Sequence, residues 1–273
     1  MRSVKSLVAA GAASLLSSMA FAADMAIAPP MPYAPVAEFG GWYLRGDIGM
    51  TNQRVQKLNS NTAVLFPANT DVGLGFDSSP LFDLGVGYRF NNWFRADVTA
   101  QYRGRANFHG NDTLIFTPTF FQSDNFSGSK SEAVLLANAY FDLGTWWSVT
   151  PFVGFGIGTS YNMISSFRDD NVQVNGGTTL GTVTNFANNG TWNFAWAAHA
   201  GLAYQVTPGV ALEFSYSYLD LGSARPGAFT RFDGTTGASS IVMKNITSND
   251  LKFGMRWNLE SPPDYAQPLV TKG

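Results

Sequence analysis

Between Trp192 and Tyr204 the large apolar side chains fall on every second residue. The even positions read Trp192, Phe194, Trp196, Ala198, Ala200, Leu202 and Tyr204, and the odd ones Asn193, Ala195, Ala197, His199, Gly201 and Ala203. Val206-Thr207-Pro208-Gly209 breaks the run with turn chemistry. A second alternation follows, with Val210, Leu212, Phe214, Tyr216 and Tyr218 on one face and Ala211, Glu213, Ser215 and Ser217 on the other. A period of two predicts a strand pair joined by a tight turn. Each run has about the ten residues a tilted strand needs to cross a bilayer. The apolar face carries aromatics near its ends, as lipid-facing strands do. A half-buried strand of a soluble sandwich alternates in the same way, so the rest of the chain decides.

The same pattern recurs along the chain. Residues 41–51 set Trp42, Leu44, Ile48 and Met50 against Arg45 and Asp47, and residues 80–90 set Phe82, Leu84, Val86, Tyr88 and Phe90 against Asp83 and Arg89. Residues 93–103 oppose Phe94, Ala96, Val98, Ala100 and Tyr102 to Arg95, Asp97, Gln101 and Arg103. Residues 131–143 oppose Leu135, Ala137, Ala139, Phe141 and Leu143 to Asn138, Tyr140 and Asp142. Residues 149–161 alternate Val153, Phe155 and Ile157 with Gly154, Gly156 and Gly158, and residues 246–259 alternate Leu251, Phe253, Met255, Trp257 and Leu259 with Lys252, Gly254, Arg256 and Asn258.

Long polar connections, about 52–79, 104–130, 162–191 and 223–245, alternate strictly with tight turns. A soluble sandwich has no reason to sort loop length by side, whereas outer-membrane barrels do. The expectation is an all-β fold. It is an eight-stranded antiparallel up-and-down transmembrane β-barrel, with four long extracellular loops and three short periplasmic turns.

Composition supports this reading. Aromatics are 14% and charged residues only 13%, against about 25% charged in soluble domains. Residues 1–22 read as a secretory signal: Arg2 and Lys5, a short apolar run, then Ala20-Phe21-Ala22 as the cleavage pattern. Its removal leaves 15 basic against 19 acidic residues, a net charge of about −4, with no basic cluster for nucleic acid. Pro29, Pro30, Pro32 and Pro35 make residues 23–40 an extended linker, residues 41–259 form the barrel, and residues 260–273 form a periplasmic tail. Cysteine is absent, which excludes disulfides, thiolate metal sites and a cysteine nucleophile. No cofactor or metal site is expected.

The inward faces collect Arg45, Asp47, Asp83, Arg89, Arg95, Asp97, Arg103, Asp142, His199, Glu213, Lys252 and Arg256. An eight-stranded barrel is just filled by its side chains, and buried charges must pair. These residues therefore read as a lumenal salt-bridge network, with a narrow polar path for ions as the alternative. Gly154, Gly156 and Gly158 leave local space, which keeps the path open as the alternative. His199 is placed near Glu213 of the next strand, with no nucleophile evident for hydrolysis; His109 reads as a solvated loop residue. Asp169-Asp170 lacks the spacing of a calcium loop and reads as a solvated pair. Arg103, Arg105, Arg168, Arg225 and Arg231 lie near outer strand ends or in loops and read as ordinary surface charge, with contact to lipopolysaccharide phosphates as the alternative.

The stretches Trp196 to Gly222, Gly41 to Gly49 and Asn138 to Gly144 (WAAHAGLAYQVTPGVALEFSYSYLDLG, GWYLRGDIG and NAYFDLG) resemble the OmpA-like, opacity-type outer-membrane β-barrel family, in its alpha-proteobacterial branch of small surface antigens. That resemblance implies a Gram-negative outer-membrane protein with roles in envelope integrity, surface antigenicity and adhesion, loosely termed porin-like. It is not expected to be an enzyme. Its expected partners are outer-membrane lipid and lipopolysaccharide, the barrel-assembly machinery, and a host or surface ligand met through the loops. The competing functions are a narrow porin-like channel, a loop-mediated adhesin and a soluble lipocalin-type binder. The last would want an apolar lumen and a polar exterior.

Overall fold

Alternation of apolar and polar residues drives the chain into strands that pair with their sequence neighbours and finally close on themselves. The computed structural model describes residues 40–59 and 69–259; the signal, linker and tail assigned above to residues 1–22, 23–40 and 260–273 lie outside the described residues. The strands are β1 (Gly41–Asn59), β2 (Asn69–Phe76), β3 (Ser79–Arg89), β4 (Phe94–Thr117), β5 (Phe120–Asp142) and β6 (Val149–Asn175). They continue with β7 (Thr178–Phe186), β8 (Asn189–Thr207), β9 (Val210–Asp220), β10 (Phe229–Arg231), β11 (Thr236–Gly237) and β12 (Val242–Asn258). The order β6-β5-β4-β3-β1-β12-β9-β8, with β8 pairing back onto β6, makes a closed ring of eight antiparallel strands. Closure leaves no unpaired edge, the condition for crossing lipid with strands.

The turns on one side are short. Asn91 Oδ1 accepts from the backbone N–H of Trp93 and Phe94 at 3.0 and 2.7 Å, an Asx turn that folds β3 onto β4. Around this end lie exposed Trp42, Phe90, Trp93, Phe141, Trp146, Tyr204 and Trp257. A second set of aromatics, including Tyr102, Trp192 and Phe194, rings the other edge of the apolar belt. From Trp192 to Tyr204 the rise is roughly 30 Å at about 3.3 Å per residue and a tilt of about 40°. That is the thickness of a bilayer's hydrocarbon core.

Beyond the belt the strands do not end. The excursions expected as loops are long, but most of their backbone is strand. β4 and β5 run on to a tight turn at residues 118–119, and β6 continues to Asn175 before folding into β7. β2 pairs with β4, and β10 with β7, so the ring extends outward as a polar-faced sheet. Its outward positions include Asn52, Arg54, Gln56, Asn107, Asn125, Ser127 and Arg168, all exposed.

At the transition the face alternation slips by one residue. In β4 the inward residues are odd up to Arg103 and even from Ala106, across a register shift opposite β5. In β6 they are even up to Ile164 and odd from Phe167, and Ser166 there has φ of 51°. In β12 Asn245, with φ of 54°, interrupts the sequence between Ile246 and Met243. Bulges of this kind re-aim side chains at barrel rims. Here they turn Phe108 and Phe167 inward, where with Phe126, Ile164, Leu219, Met243 and Ile246 they form one apolar core inside the outer half of the barrel. Its rings are in contact, Phe108 with Phe167 at 5.7 Å and Phe126 with Phe167 at 5.9 Å between centroids. Burial of each Phe contributes about 1.5–3 kcal/mol.

Candidate functional site: the barrel interior

Within the belt, inward side chains of neighbouring strands meet in a small enclosed volume, and the sequence loads that volume with charge. Glu213 on β9 is the hub. Its carboxylate lies 3.2 Å from Arg256, 3.5 Å from Arg45 and 3.6 Å from Arg95. Arg45 also donates to Asp47 at 3.0 Å, to Asp97 at 3.3 Å and to the Tyr140 hydroxyl at 3.0 Å. Asp142 takes Arg95 at 3.2 Å and Arg89 at 3.9 Å. Arg95 is held between two rings, 4.3 Å from the centroid of Tyr140 and 4.7 Å from that of Phe152, a cation–π contact on each side.

Nearer the outer core, Asp83 accepts from Gln101 at 2.9 Å and meets Lys252 at 3.4 Å. Arg103 lies 2.5 Å from Asp250 and 3.7 Å from Glu132, and Lys130 pairs with Glu132 and donates to Gln53 at 2.7 Å. Sequence reasoning missed Lys130, Glu132 and Asp250. Lys130 falls in a stretch read as loop, and Glu132 and Asp250 sit at the polar starts of their strands. With them, seven cations (Arg45, Arg89, Arg95, Arg103, Lys130, Lys252, Arg256) face seven carboxylates (Asp47, Asp83, Asp97, Glu132, Asp142, Glu213, Asp250). Exact charge balance matters because removing one partner strands a buried charge at a cost of several kcal/mol.

Several expectations are corrected by the geometry. His199 does not meet Glu213. The β8–β9 register sets Ser217 opposite His199 and Ala203 opposite Glu213, and the three guanidinium groups occupy that carboxylate. His199 Nδ1 is instead 2.8 Å from Ser217 Oγ, and Nε2 is 3.2 Å from Asn138 Oδ1. Asn138 spends its amide donors on Asp97 and Thr99, so its oxygen accepts from Nε2–H and leaves Nδ1 to accept from Ser217. A hydroxyl is thus in reach of the imidazole, contrary to the sequence reading. Ser217 is fully buried and His199 is 5% exposed, which gives a substrate no approach.

The glycines opposite these residues do not leave open space. A Cβ at Gly154 would run into the Tyr140 ring, and one at Gly156 into the Asn138 side chain. The same fit places Tyr43 over Gly87 and Asp47 over Gly254. Tyr140, Asn138, Tyr43 and Asp47 are each matched by a glycine on a neighbouring strand, so these glycines help the lumen to fill.

Arg103 is inside the lumen with no exposure, so it is no lipopolysaccharide contact; Arg105, Arg168, Arg225 and Arg231 are exposed. Asp169 and Asp170 are split by strand alternation. Asp170 pairs with Arg168 at 2.7 Å on the outer face, while Asp169 points inward beside Asp124 and Asp112. His109 lies in β4 and is exposed, 3.9 Å from Asp77.

Comparison with known proteins agrees with this architecture. Residues 8–258 match the family model of the outer membrane protein beta-barrel domain. An uncharacterized protein of Brucella suis is 30% identical over 226 residues, covering 74% of this chain and 76% of its own length. A Rickettsia felis protein named "Putative adhesin" is 28% identical over 256 residues, covering 93% and 98%. Among solved structures, Neisserial surface protein A is 18% identical, with coverage of 80% and 97% and a TM-score of 0.39. Outer membrane protein OprG from Pseudomonas aeruginosa is 11% identical, with coverage of 81% and 97% and a TM-score of 0.48. A closed ring of eight strands with a lipid-facing apolar belt and a family match across nearly its whole length places the chain in the outer membrane, as a member of the outer membrane protein β-barrel family.

Proposed function

We propose that this protein is a closed structural barrel that displays a rigid, strand-built surface outside the cell and contributes to envelope integrity. One observation carries the reading. The interior is filled twice, by a balanced charge network within the belt and by a ring-packed apolar core above it. An ion entering from outside would have to cross the layer of Phe108, Phe126 and Phe167 before it reached the charge network, and an apolar constriction of that kind excludes ions. Planar-bilayer recordings of the refolded barrel, with heat-modifiable gel mobility to verify folding, test this. A silent barrel is expected. Discrete channels whose conductance changes when Arg89 or Arg95 is altered would replace this reading with the narrow pore.

A second reading, surface antigenicity and adhesion through the outer strands, is supported by the name of the Rickettsia relative and by the outer tip. There Ile115, Phe121, Val172 and Leu180 stand exposed on an otherwise polar sheet. Lipopolysaccharide would contact Arg54 and Arg105, which are exposed just above the belt. Charge reversal at both with unchanged detergent resistance of the envelope would count against that contact. The barrel-assembly machinery is the expected partner during insertion.

A further inference from the structure

We propose that the cavity at the outer end of the barrel binds a small organic cation, an amine or guanidinium carried on an apolar body. The cavity has a volume of about 170 Å³ and lies above the apolar core. Its wall is two chemistries side by side. Phe126, Phe186 and Phe229 supply aromatic surface, and Asp112, Asp124 and Asp169 supply carboxylates.

Strand register brings the carboxylates together. Asp112 is directly opposite Asp124 across β4 and β5, and Asp169 is opposite Phe126, one inward step further down. The bulge at Ser166 is what turns Asp169 inward. Asp124 is held by neutral donors, Gln122 at 2.9 and 3.0 Å and Asn171 at 2.5 Å, so its charge is positioned and not cancelled. Asp169 Oδ1 accepts no hydrogen bond from a described residue. The lining cation is Arg231, whose guanidinium is drawn over the Phe229 ring at 5.4 Å from its centroid. Burial, then the charges of Asp124, Asp170 and Asp112, push the Asp169 carboxyl up to about 7, with Arg231 opposing. Even with Asp112 left aside, Asp124 and Asp169 place two carboxylates in a cavity whose described lining includes one cation, Arg231.

Among the described residues no three acidic or histidine groups converge to hold a metal ion. The carboxylates sit along the wall with rings between them. That arrangement suits a ligand whose charged head meets carboxylate while its body meets aromatic surface. A cavity of about 150 Å³ lined by apolar residues admits benzene, so a single ring or a short chain bearing one cation fits.

The test uses the full-length protein purified from outer membranes, its fold verified by heat-modifiable mobility, with phenethylamine as probe in a calorimetric titration. Saturable binding to one site is expected, about tenfold tighter at pH 8.5 than at pH 5.5 because Asp169 gains its charge in between. Asp169→Asn should weaken binding about tenfold at pH 8.5 and flatten its pH dependence, and the isosteric 2-phenylethanol should not bind. Absence of saturable binding by the folded wild type overturns the proposal, as does equal binding of the alcohol, or displacement of the amine by millimolar calcium. If Asp169→Asn does not fold, the pH dependence and the amine-over-alcohol preference of the wild type decide the matter alone. The readout is binding to purified protein, so it is independent of whether the barrel conducts or adheres.

Discussion

At the scale of single residues, Glu213 illustrates how a charge-filled lumen is held. Three guanidinium groups lie within 3.6 Å of its carboxylate. Glu213→Gln keeps the shape and removes the charge they share, which should cost about 3–5 kcal/mol, the range for breaking a buried ion pair. Asp170→Asn removes the exposed partner of Arg168 and should cost less than about 1 kcal/mol. Urea titrations of the folded protein in lipid vesicles, read by tryptophan fluorescence, compare the two directly; equal costs would mean the lumenal network is hydrated and weak. Asp169 provides a second test, in which the sign follows from its surroundings. Its carboxyl is pushed up to about 7 in the fold, by burial first and then by the neighbouring carboxylates, against an ordinary value near 3.9 when unfolded. The folded state thus binds the proton more tightly, so this group's contribution is complete below about pH 4 and is lost as pH rises through about 7. Relative to Asp169→Asn, the wild type should be more stable at pH 5 than at pH 8. A wild-type minus variant difference that stays flat with pH would show that the carboxyl is fully hydrated.

At the scale of elements, the bulges decide what the outer half of the barrel contains. Because strand faces alternate with a period of two, one inserted residue exchanges inside for outside along everything beyond it. In β6 that residue is Ser166, and past it Phe167 and Asp169 point in while Arg168 and Asp170 point out. Deleting Ser166 should send Phe167 outward and bring Arg168 and Asp170 against the apolar core. The outer strands should then loosen, so that trypsin cleaves at Arg168 in folded protein, while the belt keeps its heat-modifiable mobility. Resistance equal to wild type would show that the outer sheet is held by its backbone pairing alone. The same feature explains what the sequence made legible. Strands inside the belt were readable because lipid on one side and charge on the other enforce a clean alternation, as in Phe82-Asp83-Leu84. The outer parts of β4, β5 and β6 carry polar residues on their solvent face and mixed residues inside, and the bulges in β4 and β6 break the period. Residues 104–130 and 162–191 therefore looked like loops. The twelve site residues named from the sequence all lie in the belt strands for this reason, whereas Lys130 and Glu132 lie where the pattern had faded. The His199–Ser217 pairing was hidden too, since it depends on the exact register set by the turn at residues 208–209.

For the whole molecule, the strands are longer than the membrane is thick, and the position of the bilayer along them is set by side chains alone. Exposed apolar residues such as Ile48, Leu84, Val98 and Phe253 occupy one band, and exposed Asn52, Asn107 and Asn125 lie beyond it on the same outward faces. A backbone that pairs continuously through both zones imposes no boundary, so the boundary must come from transfer free energy. Leu84 is at the middle of the outward row from Tyr88 to Pro80 and is 70% exposed, which places it near the bilayer midplane. Leu84→Arg should therefore destabilise the folded barrel by about 2–4 kcal/mol, the cost of arginine at that depth, with the effect fading toward the interfaces. Asn125→Arg, on the outward face of β5 beyond the belt, should change stability by no more than about 0.5 kcal/mol, as a surface substitution does. Unfolding titrations in vesicles measure both. Comparable costs at the two sites would mean that the lipid reaches the outer sheet, and the display surface proposed for strands β4 to β7 would then be buried in membrane. A large cost at Leu84 alone would fix the belt at its aromatic girdles and leave the outer half of the barrel, with its apolar core and its acidic cavity, standing in water outside the cell.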